Sequence, residues 1–480
     1  MKQHYPVMIK NAQGSGRNLT VTAPWDGAVI AELPYAAEDD VEQALTTAYQ
    51  IFKHRQRWLS KPERIQILET TAELMQSQAE SLALEAAREG GKPLIDSRVE
   101  VARAIDGVKN CIEVLRTETG REIPMGLNSA SAQRLAFTHK EPIGVVVAVS
   151  AFNHPLNLII HQVGPAIAAG CPVIVKPAQD TPLSCMRFVA LLRQAGLPEE
   201  YCQACVVEDL ALAEKLVCDT RVAFLSFIGS ARVGWMLRSK LAPGARCALE
   251  HGGVAPVIVE QSADLADTLP LIAKGGFYHA GQVCVSVQRV FAPRAIAAQV
   301  AQRLAALGEA MTVGDPTSPD TQVGPLIRPH EVVRISDWVQ QAVDAGAEIV
   351  AGGYSLSDTC YACTVLLNPA VDALVSQQEI FGPVICVYAY DELQQAIDQA
   401  NSLPYAFQAA VLTQNIDQAL NCSQRLDAAT VMINDHTAFR VDWMPFAGLR
   451  QSGLGVGGIP YTFEDMQVDK QIVIRSKQLL

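Results

Sequence analysis

The sequence predicts an α/β molecule made of two successive strand-and-helix units, a helical segment ahead of them and a small β arm. Three observations lead there. Short β-branched runs begin near Ile143 and alternate with helical stretches, at the spacing that parallel βαβ units require. A second alternation of the same kind follows Glu250. The chain has 480 residues, 49% of them hydrophobic, which is more than one core usually serves and ample for two or three.

From Ala37 to near Arg116 the pattern is helical. Asp39-Asp40-Val41-Glu42-Gln43-Ala44-Leu45 opens one amphipathic segment, and Lys61-Pro62-Glu63-Arg64-Ile65 starts another with proline where a first turn tolerates it. In the first alternating unit the expected strands are Val145–Val149, Val173–Val175, Cys205–Val207 and Ala223–Phe227. In the second they are Pro256–Val259, Gln288–Phe291, Val384–Tyr388 and Ala409–Leu412. Gly252-Gly253 between the two units is a natural hinge. The polar stretch from Arg121 to Lys140 is expected to form an arm with Lys470–Arg475, and edge strands of this kind invite pairing with another subunit.

A net charge of −12 argues against nucleic acid or an anionic membrane as partner, so any anionic ligand must be met by local groups. The start, Met1 to Pro6, has no apolar leader, and the longest apolar stretch, Ile143 to Phe152, falls far short of the roughly 20 residues that span a bilayer. A cytoplasmic location is expected. The 12 cysteines then read as mostly free. The pairs Cys202/Cys205 and Cys360/Cys363 are too far apart in the chain, and one too strand-like, to favour a zinc site, so no metal is expected.

Cys284 stands apart because small residues lead into it, in Ala280-Gly281-Gln282-Val283-Cys284. Glu250 lies in Leu249-Glu250-His251-Gly252-Gly253, and Asn153 directly follows a strand-like run. A thiol, a carboxylate and a side-chain amide suffice to attack a carbonyl, activate a water and hold an oxyanion. Gly229 and Ser230 follow a strand and open a helix, which places backbone amides near a pyrophosphate, although Gly-x-x-x-x-Gly alone is a weak signal. Lys176 ends a strand, where open α/β sheets bind ligands.

Seven motifs in order carry a resemblance: Phe152-Asn153-His154-Pro155, Lys176-Pro177-Ala178, Phe227-Ile228-Gly229-Ser230, Leu249–Gly253, Gly281–Cys284, Glu379-Ile380-Phe381-Gly382-Pro383 and Pro445-Phe446-Ala447-Gly448. Over essentially its whole length the chain resembles the aldehyde dehydrogenase superfamily. The resemblance implies a Rossmann-like cofactor domain (1–120 and 143–250), a catalytic domain of related topology (251–450), and an oligomerisation arm (121–142 and 465–480) that makes a homodimer or homotetramer. It implies Cys284 as nucleophile, Glu250 as general base and Asn153 as oxyanion donor. Lys176 would bind the adenosine ribose, Gly229 and Ser230 the pyrophosphate, and Glu379 with Phe381 the nicotinamide ribose. Gln179 stands where NAD-preferring members usually carry glutamate, so NAD is favoured and NADP stays possible. His251 replaces a common leucine and either tunes Glu250 or packs beside it.

Phe446 resembles an aromatic wall of the aldehyde funnel. His154, His161 and Arg440 occupy positions that are often aromatic, with Asn157 on the same helical stretch as the histidines and Arg103 on an earlier helix that can face the funnel. A guanidinium suits a carboxylate, phosphate or phosphonate. Val283 replaces the arginine that members acting on phosphorylated aldehydes often carry before the nucleophile. The expectation is NAD(P)-dependent oxidation of a small polar, anionic aldehyde to its acid. The competitors are CoA-dependent acylation, which Glu250 disfavours, a non-catalytic NAD-binding protein, and a thiol esterase.

Overall fold

Four apolar runs in the first half of the chain line up as one sheet in the computed structural model, which describes residues 3–479. The sheet has six strands in the order Gly453–Leu454, Arg246–Glu250, Val222–Ile228, Val145–Val149, Val173–Lys176, Cys202–Ala204. All are parallel except Gly453–Leu454. Helices cover both faces, which is why Val145–Ala148 and Val173–Val175 are uniformly apolar and buried rather than alternating. The third strand lies earlier than its sequence pattern suggests, at Cys202–Ala204. Cys205 and Val206 still pair locally, Cys205 N–H with Val175 and the Val206 carbonyl with Ala36 N–H, but the chain has left the ladder.

The second sheet has seven strands in the order Glu348–Ala351, Thr364–Leu367, Val384–Tyr390, Arg289–Pro293, Pro256–Val259, Gln408–Leu412, Thr430–Ile433, with only the first antiparallel. Its core is a separate apolar cluster around Val257–Val259, Val290, Ile385 and Val411. Each sheet therefore buries its own apolar area, and the fold is α/β throughout.

The N-terminal helices are Glu38–Lys53, Lys61–Ser77, Ala79–Gly90 and Leu94–Thr117. Ser60 and Glu63 form a capping box at the start of the second, with Pro62 in its first turn. Leu94–Thr117 packs closely on Asn157–Ala169, because Gly107 meets Ile160 and Gly164 meets the Cys111 sulfur where a Cβ would stand 3.1 and 2.9 Å from its neighbour. Two further sheets have three strands each. Asn18–Thr22, Val29–Pro34 and Gln3–His4 form the first, which the sequence pattern does not announce. In the second, Arg134–Pro142 pairs antiparallel with Gln467–Arg475 over nine residues, and Glu122–Ile123 pairs on its other side. Among the described residues no helix is long and apolar enough to cross a membrane.

Candidate active site

Strand ends deliver the first group of side chains. Lys176 and Glu250 are the last residues of their strands, Gly229 and Ser230 follow Ile228, and Asn153 lies in the turn between Val149 and the helix Asn157–Ala169. The chain runs from Val145–Val149 outward one way and later returns to its other side, so these ends surround a topological switch point, where such sheets open a crevice. The second sheet faces that crevice with the segments leading into its strands. Cys284 precedes Arg289–Pro293, and Glu379 and Phe381 precede Val384–Tyr390. A continuous cleft of about 690 Å³ runs from Lys176 and Gln179 past Glu379 to Cys284 and Arg440.

The loop that presents Cys284 is conformationally costly. His279, Ala280 and Gly281 have φ of 49°, 53° and 69°, which for the two non-glycine residues is a sparsely populated region. At Gly281 a Cβ would lie 2.0 Å from the Gly382 carbonyl oxygen, so the motifs around Cys284 and Glu379 touch where only glycine fits. Gln282 holds the loop in place. Its side chain accepts from Ile327 N–H at 2.9 Å and donates to the His279 and Pro325 carbonyls, each at 3.3 Å. Its own carbonyl accepts from Asn153 Nδ2 at 2.9 Å, which orients that amide and leaves its second N–H for another acceptor.

Burial pushes the Cys284 thiol up to about 12, and the carboxyls of Glu379 and Glu250 add to the rise, while Arg440 and the residue's own N–H oppose it. The same burial raises Glu250, with Arg440 opposing. Its carboxyl occupies the space left by Gly457, where a Cβ would come within 2.2 Å of Oε1. His251 packs edge-on against Phe227 and Trp235, and its Nδ1 meets the Gln451 carbonyl at 2.9 Å.

In the other half of the cleft, Glu379 is raised to about 8 by burial, with Gly253 N–H and Arg334 opposing. Its Oε1 is buried without a partner, and a Cβ on Gly252 would come within 1.8 Å of it. Gly252 makes room for Glu379, and a Cβ on Gly253 would stand 3.4 Å from Phe407. Among the described residues Lys176 Nζ meets only the Pro177 carbonyl, at 3.3 Å. Gln179 donates to the Val207 carbonyl at 2.7 Å, and Ser230 begins the helix Ala231–Lys240 without capping it through its side chain. An unpartnered buried acceptor, a cation with free donors and an open helix start fit a ribose hydroxyl, an adenosine ribose and a pyrophosphate respectively.

The remaining wall is charged. Arg440 stacks on Phe446, its guanidinium carbon 3.5 Å from the ring centroid, and Nη2 reaches His161 Nδ1 at 3.3 Å. Its Nε is buried without a partner, and among the described residues it makes no ion pair. Phe446 in turn packs on Phe407, centroids 4.6 Å apart. His154 hydrogen-bonds Tyr278 at 2.7 Å and is held well below the usual range by burial and then by the Lys92 charge. His161 does not line the cleft but sits behind it, 3% exposed and lowered to about 4 by burial and Arg440. Arg103 lines the cleft, yet its fork is taken by Asp442 through Nε at 3.1 Å and Nη2 at 2.7 Å. Asn157 and His161 also donate to Asp442, at 3.1 and 2.7 Å.

A family model, described as the aldehyde dehydrogenase family, matches residues 10–472. The chain belongs to the aldehyde dehydrogenase family. A 3-sulfolactaldehyde dehydrogenase of Priestia megaterium is 36% identical over 444 residues, covering 92% of each chain. A lactaldehyde dehydrogenase of Methanocaldococcus jannaschii is 32% identical, covering 95% of this chain and 97% of its own. Among solved structures, aldehyde dehydrogenase 21 from Physcomitrella patens, in complex with succinate, superposes with a TM-score of 0.95 at 31% identity over 100% of both chains.

For an aldehyde dehydrogenase the sequence left several site residues unnamed. Asp442 is two residues beyond Arg440, but nothing local shows that it meets Arg103, Asn157 and His161 from up to 339 positions away. Tyr278 and Glu100 escaped for the same reason. Glu100 accepts from the Leu156 and Asn157 N–H groups at 3.0 and 2.9 Å, capping a helix that has no side-chain cap of its own, and pairs with buried Lys92.

Proposed function

We propose that the protein oxidises a small polar aldehyde bearing an anionic group to its carboxylic acid, with NAD as hydride acceptor and NADP also accommodated. The observation that carries the anionic part is Arg440, a half-buried guanidinium with a fully buried Nε and, among the described residues, no ion-pair partner, lining the same chamber as Cys284. Burying an unpaired cation is costly, and an anionic substrate offsets that cost on binding. Relatives named for 3-sulfolactaldehyde and lactaldehyde, and a neighbour bound to succinate, support a small polar substrate. Gln179 is neutral, so it neither repels a ribose phosphate nor attracts one.

Cys284 gives its thiol proton to Glu250, which passes it to solvent before its later task, and the thiolate attacks the aldehyde carbon. The second N–H of Asn153 and the Cys284 amide receive the oxyanion of the resulting thiohemiacetal, their positions set beforehand by Gln282. Lys176, Ser230 and Glu379 hold the cofactor, which supplies the hydride acceptor when bound. Glu250 then takes a proton from the water that cleaves the Cys284 thioester, a task suited to a carboxylate whose basicity burial has raised. Acid must therefore form without CoA.

The test compares Arg440→Ala with the unaltered enzyme on a carboxylate-bearing aldehyde and a neutral one of equal size. KM for the anionic aldehyde rises about a hundredfold relative to the neutral one, the scale of a lost charge-assisted contact. Equal changes for both substrates discard the anionic reading.

A further inference from the structure

Two arginines approach the substrate chamber, but they are not equivalent. Arg103 gives Nε and Nη2 to Asp442, whose carboxyl is held well below the usual range: burial alone would raise it, but His161 and Arg103 outweigh burial. Among the described residues Arg440 has no carboxylate at ion-pair distance, although Glu250 acts on it through space. An ionised Asp442 only accepts hydrogen bonds, so His161 must carry its proton on Nε2 and leave Nδ1 as the acceptor for Arg440 Nη2. Asp442 thus cancels the charge of Arg103 and, through His161, orients Arg440 over Phe446. The other charged groups nearby add no net cation. His154 and His161 are neutral, Lys92 is paired with Glu100, and Glu250 when ionised repels any anion, a dianion more strongly than a monoanion. Val283, beside the nucleophile, is apolar and buried.

We infer that Asp442 is a specificity-determining positioning residue that leaves the chamber a single guanidinium whose donors no carboxylate takes, so the enzyme selects an aldehyde carrying a singly charged oxyanion, a sulfonate or carboxylate, over one carrying a doubly charged phosphonate or phosphate. The inference rests on the anionic-aldehyde reading. A monoanion is neutralised by Arg440 and still receives hydrogen bonds from the Arg103 hydrogens that Asp442 does not use, whereas a dianion enters with one charge unmatched.

The test uses isosteres, 2-oxoethanesulfonate and 2-oxoethylphosphonate, with propanal as the neutral comparison. Assays run at about pH 8.5, above the second ionisation of a phosphorus oxyacid. The unaltered enzyme should prefer the sulfonate over the phosphonate at least about tenfold in kcat/KM, mostly through KM. Asp442→Asn keeps an oxygen acceptor but frees the Arg103 charge, so it should compress that ratio about tenfold or reverse it. The double variant Arg103→Met/Asp442→Asn removes both charges and should restore the sulfonate preference. A phosphonate preference or equal use in the unaltered enzyme overturns the inference while leaving the anionic reading intact. So does Asp442→Asn lowering both substrates by the same factor, which a merely structural carboxylate would do. Propanal outperforming both anions overturns the anionic reading and this inference together.

Discussion

Cys284 rests in a protonation state unsuited to attack. An ordinary thiol titrates near about 8.5, and burial with two neighbouring carboxyls pushes this one up to about 12. At neutral pH the thiolate fraction is then smaller than that of a free cysteine, and slow alkylation of the cofactor-free protein is the expected outcome. Iodoacetamide should label Cys284 more slowly than free cysteine at about pH 8 and keep accelerating beyond about pH 10, where an ordinary thiol has levelled off. Mass-spectrometric labelling rates check this, and a plateau near the ordinary thiol range contradicts it. Arg440 is the only contact among the named causes that pulls the thiol down through a positive charge, so it links the nucleophile to the substrate wall.

At the scale of elements, the site is where two motif-bearing loops press together, and glycines mark the contacts. Gly252 and Gly281 show two different reasons for the residue. On Gly252 a methyl group meets the end of the Glu379 side chain, which can swing away, so Gly252→Ala should leave the melting temperature within about 2 °C yet weaken cofactor binding about tenfold. On Gly281 a methyl group meets the Gly382 backbone at a φ of 69°, so Gly281→Ala should cost about 2 kcal/mol or more of stability. Calorimetry and cofactor titration on the pair separate the two, and an unstable Gly252→Ala with normal cofactor affinity refutes the assignment. The helices Leu94–Thr117 and Asn157–Ala169 matter equally, because their glycine-mediated approach brings Arg103, Asn157 and His161 to one carboxylate.

For the molecule as a whole, the cleft lies between two sheets with separate cores, bounded by the carboxyl ends of one set of strands and the segments entering the other. The outlying three-stranded sheet exposes Gln467–Arg475 as an edge strand, with Val473 52% and Ile474 44% exposed. An exposed edge with apolar side chains favours pairing with a second copy. Where two copies pair through this edge, Val473→Asp combined with Ile474→Lys lowers the mass read by light scattering, and an unchanged mass rules out that edge as the interface.

Fold class and the central strands of both large sheets were legible because burial on both faces writes uniform apolar runs such as Val145–Val149 directly into the sequence. The strands Asn18–Thr22 and Val29–Pro34 escaped because their burial alternates with polar and exposed positions over only a few residues. Motif order marked Cys284, Glu250 and Asn153 as candidates, and the helix pattern marked Arg103 and the strand-end pattern Lys176. Only the tertiary structure decided which charges survive in the chamber. A local pattern reports backbone form and burial, whereas the pairing of Arg103 with Asp442, and the lack of such an ion pair for Arg440 among the described residues, depends on helices and loops that meet across hundreds of residues.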